Sequence, residues 1–578
     1  MIHLKTNYNV GEVPHSQYPR PQFVRDSFLC LNGKWDFAVG KAGTLPNEYT
    51  EEILVPFSPE CINSGIGKQV LVEKDDVLYY KKSFELNSDW LNGIALLHFG
   101  AVDYYCEVFC NNKKVGSHKG GFTAFTFDVS KYLVEGINEI SLIVKDDTEN
   151  SGAGRGKQSK TPGGIWYTPQ SGIWQTVWME KLPVNHIEAI DYYPNFEQNE
   201  VLVKIKASSS VSYQVFDEGN LIVSGEANGD FVLKYDFKPW SPENPKLYDI
   251  KVTCGEDVIK SYFAMRSFGI VEDKFGKKRL SLNGKPYFFS GLLDQGYWSD
   301  GLLTYPSDEA IYDELVLLKK MGFNTLRKHI KIEPLRWYYY CDKLGFVVWQ
   351  DFVNGGGEYN FNHIATFPFL GFKHRDDDYA YFARENEKGR KAFVKEWQET
   401  VEQLKNCVCI SMWTIFNEGW GQFDSANMQE AVKLVDQSRV IESISGWHDY
   451  KNQCDIKSLH TYYTKLKVPK DLRPVTLSEF GGYSLKISGH VFDEKKFFGY
   501  KKFKSQEKFV VALKKLYKEK LLPLISKGLS AAIYTQVSDV EEEINGLVTY
   551  DRKVIKIAPE EMKDLNEALY AEANKVID

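Results

Sequence analysis

Trp413-Thr414-Ile415-Phe416-Asn417-Glu418-Gly419 and Val475-Thr476-Leu477-Ser478-Glu479-Phe480-Gly481-Gly482 are short apolar runs, each closing on a glutamate. Their length and their β-branched and aromatic content predict buried strands. A carboxylate where a parallel strand of an α/β barrel runs out stands at the loop-built face, where such barrels place their chemistry. Two there suit cleavage of a glycosidic bond: one acid gives a proton to the leaving oxygen while the other, ionised, attacks the anomeric carbon. A lone glutamate after an apolar run reads instead as a solvated loop residue. Here Asn417 adds an amide for a sugar hydroxyl, and Gly419, Trp420 and Gly421 add a tight turn beside an aromatic wall.

Around these runs the chain beyond about Ile270 alternates apolar runs with helical patterns, the signature of a parallel sheet wrapped by helices. Strand ends are expected near Leu293, His329, Gln350, Phe416, Ser445, His460, Glu479 and Gln536, with helices such as 307–321 and 390–404 between them. That makes about eight βα units, the number that closes a barrel. The connection 354–388 is rich in Gly and aromatic residues and longer than an ordinary loop; it reads as a pocket wall or as an irregular surface insertion.

Upstream the texture is all β. The first 180 or so residues carry runs such as 94–99, 105–109 and 140–144, broken by turn signals at Asn32-Gly33 and Gly120-Gly121, which predicts a β-sandwich. From about Pro183 to Gly269 a second alternating stretch has the length of an immunoglobulin-like module.

Composition narrows the classes of function. At 578 residues the chain exceeds one hydrophobic core. With 43% hydrophobic and 26% charged residues it has the make-up of a globular protein, and no apolar run is long enough for a membrane span. The start of the sequence lacks a secretory pattern, so a cytoplasmic location is expected. Nine cysteines, with only Cys407 and Cys409 close together and alternating on an expected strand, form no disulfide framework and no metal spacing. A formal charge of −7 leaves no basic footprint for nucleic acid. The lysines from Lys495 to Lys518 are read as the wet side of a helix. No cofactor is implied, and Asp376-Asp377-Asp378 is read as a solvated acidic turn, not a metal site.

Several segments together resemble glycoside hydrolase family 2, the family of β-galactosidases, β-glucuronidases and β-mannosidases. Gly120-Gly121-Phe122, Phe127-Asp128-Val129 and Ser171-Gly172-Ile173-Trp174-Gln175 are similar to its jelly-roll sugar-binding domain, and Leu282-Asn283-Gly284-Lys285-Pro286 to its barrel entry. The resemblance implies three units: a jelly-roll β-sandwich over 1–181, an immunoglobulin-like β-sandwich over 182–271 and a catalytic (β/α)8 TIM barrel over 272–578. It also implies that Glu418 is the acid/base and Glu479 the nucleophile of a configuration-retaining reaction. Tyr462 would hydrogen-bond the nucleophile, and His329 would hold a sugar hydroxyl.

Other strand-end residues are candidates for sugar contact: Asp294, Arg327, Trp349, His460 and Gln536, with Trp298 stacking on the sugar or closing the rim. For each the competing reading is a helix cap, a core ion pair or plain packing. The position where family β-glucuronidases carry Asn-x-Lys for the sugar carboxylate reads Glu543-Ile544-Asn545 here, and a glutamate repels an anionic sugar. Val348-Trp349-Gln350-Asp351-Phe352 is similar to the mannosidase form of its strand, whereas Asn354-Gly355-Gly356 is not. The expectation is an exo-acting retaining β-glycosidase, β-galactosidase-like by default, with a carbohydrate substrate; a homo-oligomer is left open. The alternatives are a β-mannosidase or β-glucuronidase, a transglycosylase, or a carbohydrate-binding or scaffolding protein without turnover.

Overall fold

Strands with no solvent-exposed face are what a parallel sheet covered on both sides requires. Eight of them extend side by side in the computed structural model, which describes residues 4–41, 43–66, 72–149, 152, 154–449 and 454–577. They are β1 (Phe289–Asp294), β2 (Thr325–Lys328), β3 (Val347–Asp351), β4 (Ile410–Asn417), β5 (Val440–Ser445), β6 (Lys457–Thr461), β7 (Val475–Gly481) and β8 (Leu529–Thr535). All but β6 are buried along their whole length. The ladder runs β5-β4-β3-β2-β1-β8-β7-β6, every pair parallel. The barrel is nearly closed. Between β5 and β6 the seam carries single bonds, such as the Gly446 amide to Ser458 Oγ at 3.3 Å.

The helices that follow have legible ends. Ser307 Oγ caps α1 (Asp308–Lys320) by accepting from the Ala310 amide, and Asp308, Glu309, Lys319 and Lys320 complement the helix dipole. Helix α2 (Leu335–Leu344) stops at Gly345, and α3 (Glu387–Leu404) starts three residues earlier than expected because Asn386 caps it. The expectation of a helix after each strand needs correction. Among the described residues no helix lies between β5 and β6 or between β6 and β7. Cys407 and Cys409 precede β4 instead of alternating on a strand. The stretch from Lys495 to Lys518 is not one helix either: only Gln506–Lys515 is α-helical, after a short strand at Lys501–Phe503.

First residues of several strands, among them Phe289, Val347 and Val440, pack with Trp240, Tyr262 and Leu280, so the barrel is plugged at the end where its strands begin. The other end is left for chemistry. Upstream, a six-stranded and a four-stranded antiparallel sheet enclose a core including Trp35, Phe37, Leu97, Phe99 and Met179. A three-stranded and a four-stranded sheet enclose a second core around Val203, Leu233, Tyr248 and Ile250. Among the described residues no helix is long and apolar enough to cross a membrane.

The first β unit reaches the barrel mouth through a loop. Asn354 O, just past β3, accepts from the amides of Arg155 and Gly156 at 2.9 and 3.0 Å, and Arg155 Nη1 donates to Gly356 O at 2.8 Å. Gly156 has φ +62°, and a Cβ there would stand 2.9 Å from Ile330 O, so glycine is needed for this approach.

Candidate active site

Strand β4 ends at Asn417, and the chain then turns sharply: Glu418 has φ +51°, held by its amide bonding to Ser445 O at 2.9 Å. A non-glycine residue in that region is uncommon and is retained where surroundings fix it. Gly421 completes the turn; a Cβ on it would collide with Gly355 O at 2.0 Å. Glu479 lies within β7, and His460 within β6. One carboxylate oxygen of each glutamate and a ring nitrogen of His460 all lie within 4.8 Å of one another.

Arg327, on β2 and fully buried, organises the floor. It donates to both oxygens of Asp351 at 3.0 Å, to Asn417 Oδ1 at 2.8 Å and to Glu479 Oε1 at 3.1 Å. Tyr462 donates from its hydroxyl to Glu479 Oε2. His460 Nδ1 is 2.6 Å from Glu418 Oε1, and its Nε2 is 3.0 Å from Ser445 Oγ. His329 Nδ1 is 2.8 Å from Asp351 Oδ2, and burial holds its pKa well below the ordinary histidine value, so the ring is neutral with Nε2 free of hydrogen bonds among the described residues. The Asn417 Nδ2 group is buried, with no hydrogen-bond partner among the described residues.

These surroundings push the two glutamates apart. Burial alone raises Glu479, but the charges of His460 and Arg327 outweigh it and hold the carboxyl down at about 2. Glu418 moves the other way: burial raises it, and the negative charge of Glu479 adds to this against the opposing pull of His460. His460 rises despite burial because it faces both carboxylates. Glu418, His460 and Glu479 are also the one group with metal-ligand proximity among the described residues. Their donor atoms already serve one another, Ser445, Tyr462 and Arg327, and the Arg327 guanidinium beside Glu479 disfavours a second cation.

The structure thus brings together Glu418, Glu479, Asn417, Arg327, His329, His460 and Tyr462. The other sequence candidates make their contacts outside this cluster. Trp349 packs one layer deeper, 6.4 Å from the Phe289 ring. Asp294 points to the helix layer, where its carboxylate meets Lys328 at 2.6 Å. Trp298 is buried under Arg552, whose guanidinium carbon is 4.2 Å from the ring centre. Gln536 lies past β8 in a polar chain, bonded to Gln295 and Asn545 at 2.8 Å each.

The 354–388 connection packs over the turn after Glu418. Its Arg384 donates to Gly421 O at 2.7 Å, and its Asp376 accepts from Gln422 and the Ser425 amide at 3.0 and 3.1 Å. Asp376 is therefore a buried fastener, correcting its reading as a solvated turn, while Asp377 and Asp378 are exposed. Asp351 escaped the sequence reading, although its signal was there: a charge closing the apolar run two residues after Trp349. Replacing Arg327 by Met strands Asp351 and Glu479 in the core and is expected to lower unfolding stability by about 3–5 kcal/mol, read by urea titration at neutral pH.

Comparison with known proteins shows the family. Residues 65–183 match the description "Glycosyl hydrolases family 2, sugar binding domain", and residues 274–565 match "Glycosyl hydrolases family 2, TIM barrel domain". A β-galactosidase of Streptococcus thermophilus is 25% identical over 483 residues, 74% of this chain and 44% of its own length. A putative β-glucuronidase of Formosa agariphila is 24% identical over 398 residues, 64% of this chain and 34% of its own. The chain thus spans less than half the length of either relative. A β-D-glucuronidase structure from Dictyoglomus thermophilum overlays with a TM-score of 0.74 at 19% identity, covering 95% of this chain and 98% of that one. A β-glucuronidase from an uncultured Clostridium sp. gives 0.72 at 18%, covering 94% and 99%. At such identities the overlays speak for the fold. Because the barrel description alone takes up just over half of the sequence and the sugar-binding description precedes it in the expected order, the chain belongs to glycosyl hydrolases family 2.

Proposed function

We propose that this protein is a retaining exo-β-glycosidase, removing a terminal β-linked sugar through a covalent glycosyl-enzyme intermediate, with β-galactosides as its first substrates. The observation that carries the reading is the pair Glu418 and Glu479, within 4.8 Å and pushed toward opposite protonation states. Retention asks for carboxyl groups about 5–5.5 Å apart, whereas inversion needs room for a water between them. Glu479, ionised and aimed by Arg327 and Tyr462, attacks the anomeric carbon; Glu418 gives its proton to the departing oxygen. In the second step Glu418 takes a proton from water, which attacks the same carbon and frees Glu479. Among the described residues, Asn417 Nδ2 and His329 Nε2 are without hydrogen-bond partners and suit sugar hydroxyls.

The choice of a neutral sugar rests on Glu543. Its carboxylate is buried and accepts from Asn545 Nδ2 at 2.9 Å and from the Tyr167 hydroxyl. A second buried carboxylate brought against it by a uronide would be repelled. A panel of nitrophenyl β-glycosides tests this, with galactoside expected to give the highest kcat/KM. A higher value for glucuronide would overturn the sugar and leave the acid pair standing. No turnover of any member would favour a carbohydrate-binding protein.

The pH profile of kcat/KM follows from the two shifts. Glu479 stays ionised down to about 2, so it imposes no loss across the ordinary carboxylate range. Activity falls as pH rises through the raised value of Glu418, a limb that belongs to the Glu418–His460 pair because the two share a proton. Initial rates with a nitrophenyl glycoside from about pH 4 to about pH 9 check this; a rate still climbing at the alkaline end contradicts a protonated Glu418.

A further inference from the structure

The clamped loop of the first β unit carries one residue that its own contacts leave unexplained. Lys157 is 5% exposed, yet among the described residues no hydrogen bond or ion pair reaches its ammonium. The nitrogen stands 5.2 Å from the Trp420 ring centre and 5.5 Å from that of Tyr167. Those rings mark two sides of the barrel mouth. Trp420 follows Glu418 by two residues and lies 6.2 Å from His329, ring centre to ring centre, while Tyr167 bonds Glu543. After burial, His460 and Glu479, Lys157 is the next charge to act on Glu418; at His329 it follows burial and Glu479.

Aromatic faces offset part of the cost of burying a cation, but they supply no acceptor for three N–H donors. The loop holding Lys157 is not free to swing it away, because Arg155 and Gly156 are bonded to Asn354 and Gly156 abuts Ile330. We infer that Lys157 is a specificity-determining residue supplied by the first β unit, donating to a hydroxyl of the terminal sugar between Trp420 and Tyr167. The pocket is then composite: the barrel supplies the chemistry and the upstream unit one hydroxyl contact. Glu543, an acceptor on the Tyr167 side, makes a neutral hydroxyl the fitting partner in place of a sugar carboxylate. This inference rests on the glycosidase reading above.

The test is a cycle of protein and substrate changes in the full chain. Lys157→Met is expected to lower kcat/KM on nitrophenyl β-galactoside about 10- to 100-fold, the range for a hydrogen bond from a charged group. Lys157→Gln, which keeps a neutral donor, recovers part of it. Among the 2-, 3-, 4- and 6-deoxy substrates, one is expected to show wild-type and Lys157→Met rates equal within about twofold, because the contact is already gone. The inference is overturned if Lys157→Met loses the same factor on every deoxy substrate, as a merely structural residue would, or loses nothing. It is also overturned if a uronide is preferred and Lys157→Met abolishes that preference, which would make the partner a carboxylate. Should the wild type prefer another neutral glycoside, the same cycle on that sugar decides. Absence of turnover of any glycoside sinks the underlying function, whereas turnover unaffected by Lys157→Met sinks this inference alone.

Discussion

Replacing Glu479 by Ala is expected to abolish hydrolysis of every aryl β-glycoside, a fall of about 10⁴-fold or more in kcat, since the covalent intermediate has no other nucleophile to form on. The side chain is 5% exposed, so its removal leaves a small cavity instead of a solvated gap. The groups that held the carboxylate remain: Arg327 Nη1, which stood 3.1 Å from Oε1, and the Tyr462 hydroxyl. They form a vacant anion site on the face from which Glu479 attacked. Azide fits there in charge and size. With an aryl glycoside of good leaving group, its nitrogen forms the bond to the anomeric carbon as the aryl oxide departs, and no carboxylate remains to displace it. The expected product is a glycosyl azide of inverted configuration, detectable by NMR, with rate rising in azide concentration. Unchanged hydrolysis in Glu479→Ala overturns the nucleophile assignment; loss of hydrolysis without azide product shows that Glu479 acts through its charge alone.

Much of this centre was legible because strand geometry allows few choices. In a barrel strand alternate side chains point inward, and successive inward residues lie in successive layers. Trp349 and Asp351 are both inward on β3, one layer apart, so the charge two residues after the tryptophan reaches Arg327 while the ring packs in the plug. Asp294 follows Leu293, which is inward, and so faces the helices, where Lys328 meets it. Trp298 and Gln536 lie beyond strand ends, where periodicity no longer aims a side chain. The missing helices around β6 and the buried role of Asp376 had no local signal, because both depend on which loops cover which strands. Lys157 belongs with these: nothing in Arg155-Gly156-Lys157 declares that the loop docks on the far domain.

Glu418→Gln separates the roles of the pair by making the effect depend on the leaving group. The amide keeps the volume of the side chain but has no acidic proton to give. A dinitrophenolate departs unaided, so the step that forms the glycosyl-enzyme is expected to stay within about tenfold of wild type, whereas a methyl or sugar leaving group loses about 10²–10⁴-fold, the contribution of general acid catalysis. The second step loses its base as well, so the intermediate accumulates. A burst of dinitrophenol equal to the enzyme concentration, followed by slow turnover, is the expected trace. Azide needs no deprotonation and should accelerate that slow phase, here giving a product of retained configuration because it attacks the intermediate on Glu479. The alkaline limb of the pH profile should vanish, since the proton whose loss causes it sat on the Glu418–His460 pair, joined at 2.6 Å. His460, deprived of a carboxylate partner, should titrate lower than in the wild type, its imidazolium form now favoured chiefly by Glu479. If poor and good leaving groups are slowed alike, Glu418 is a positioning residue and the proton must come from elsewhere; the cluster then offers His460 as the donor, and its replacement by Asn would show the leaving-group dependence that Glu418→Gln did not.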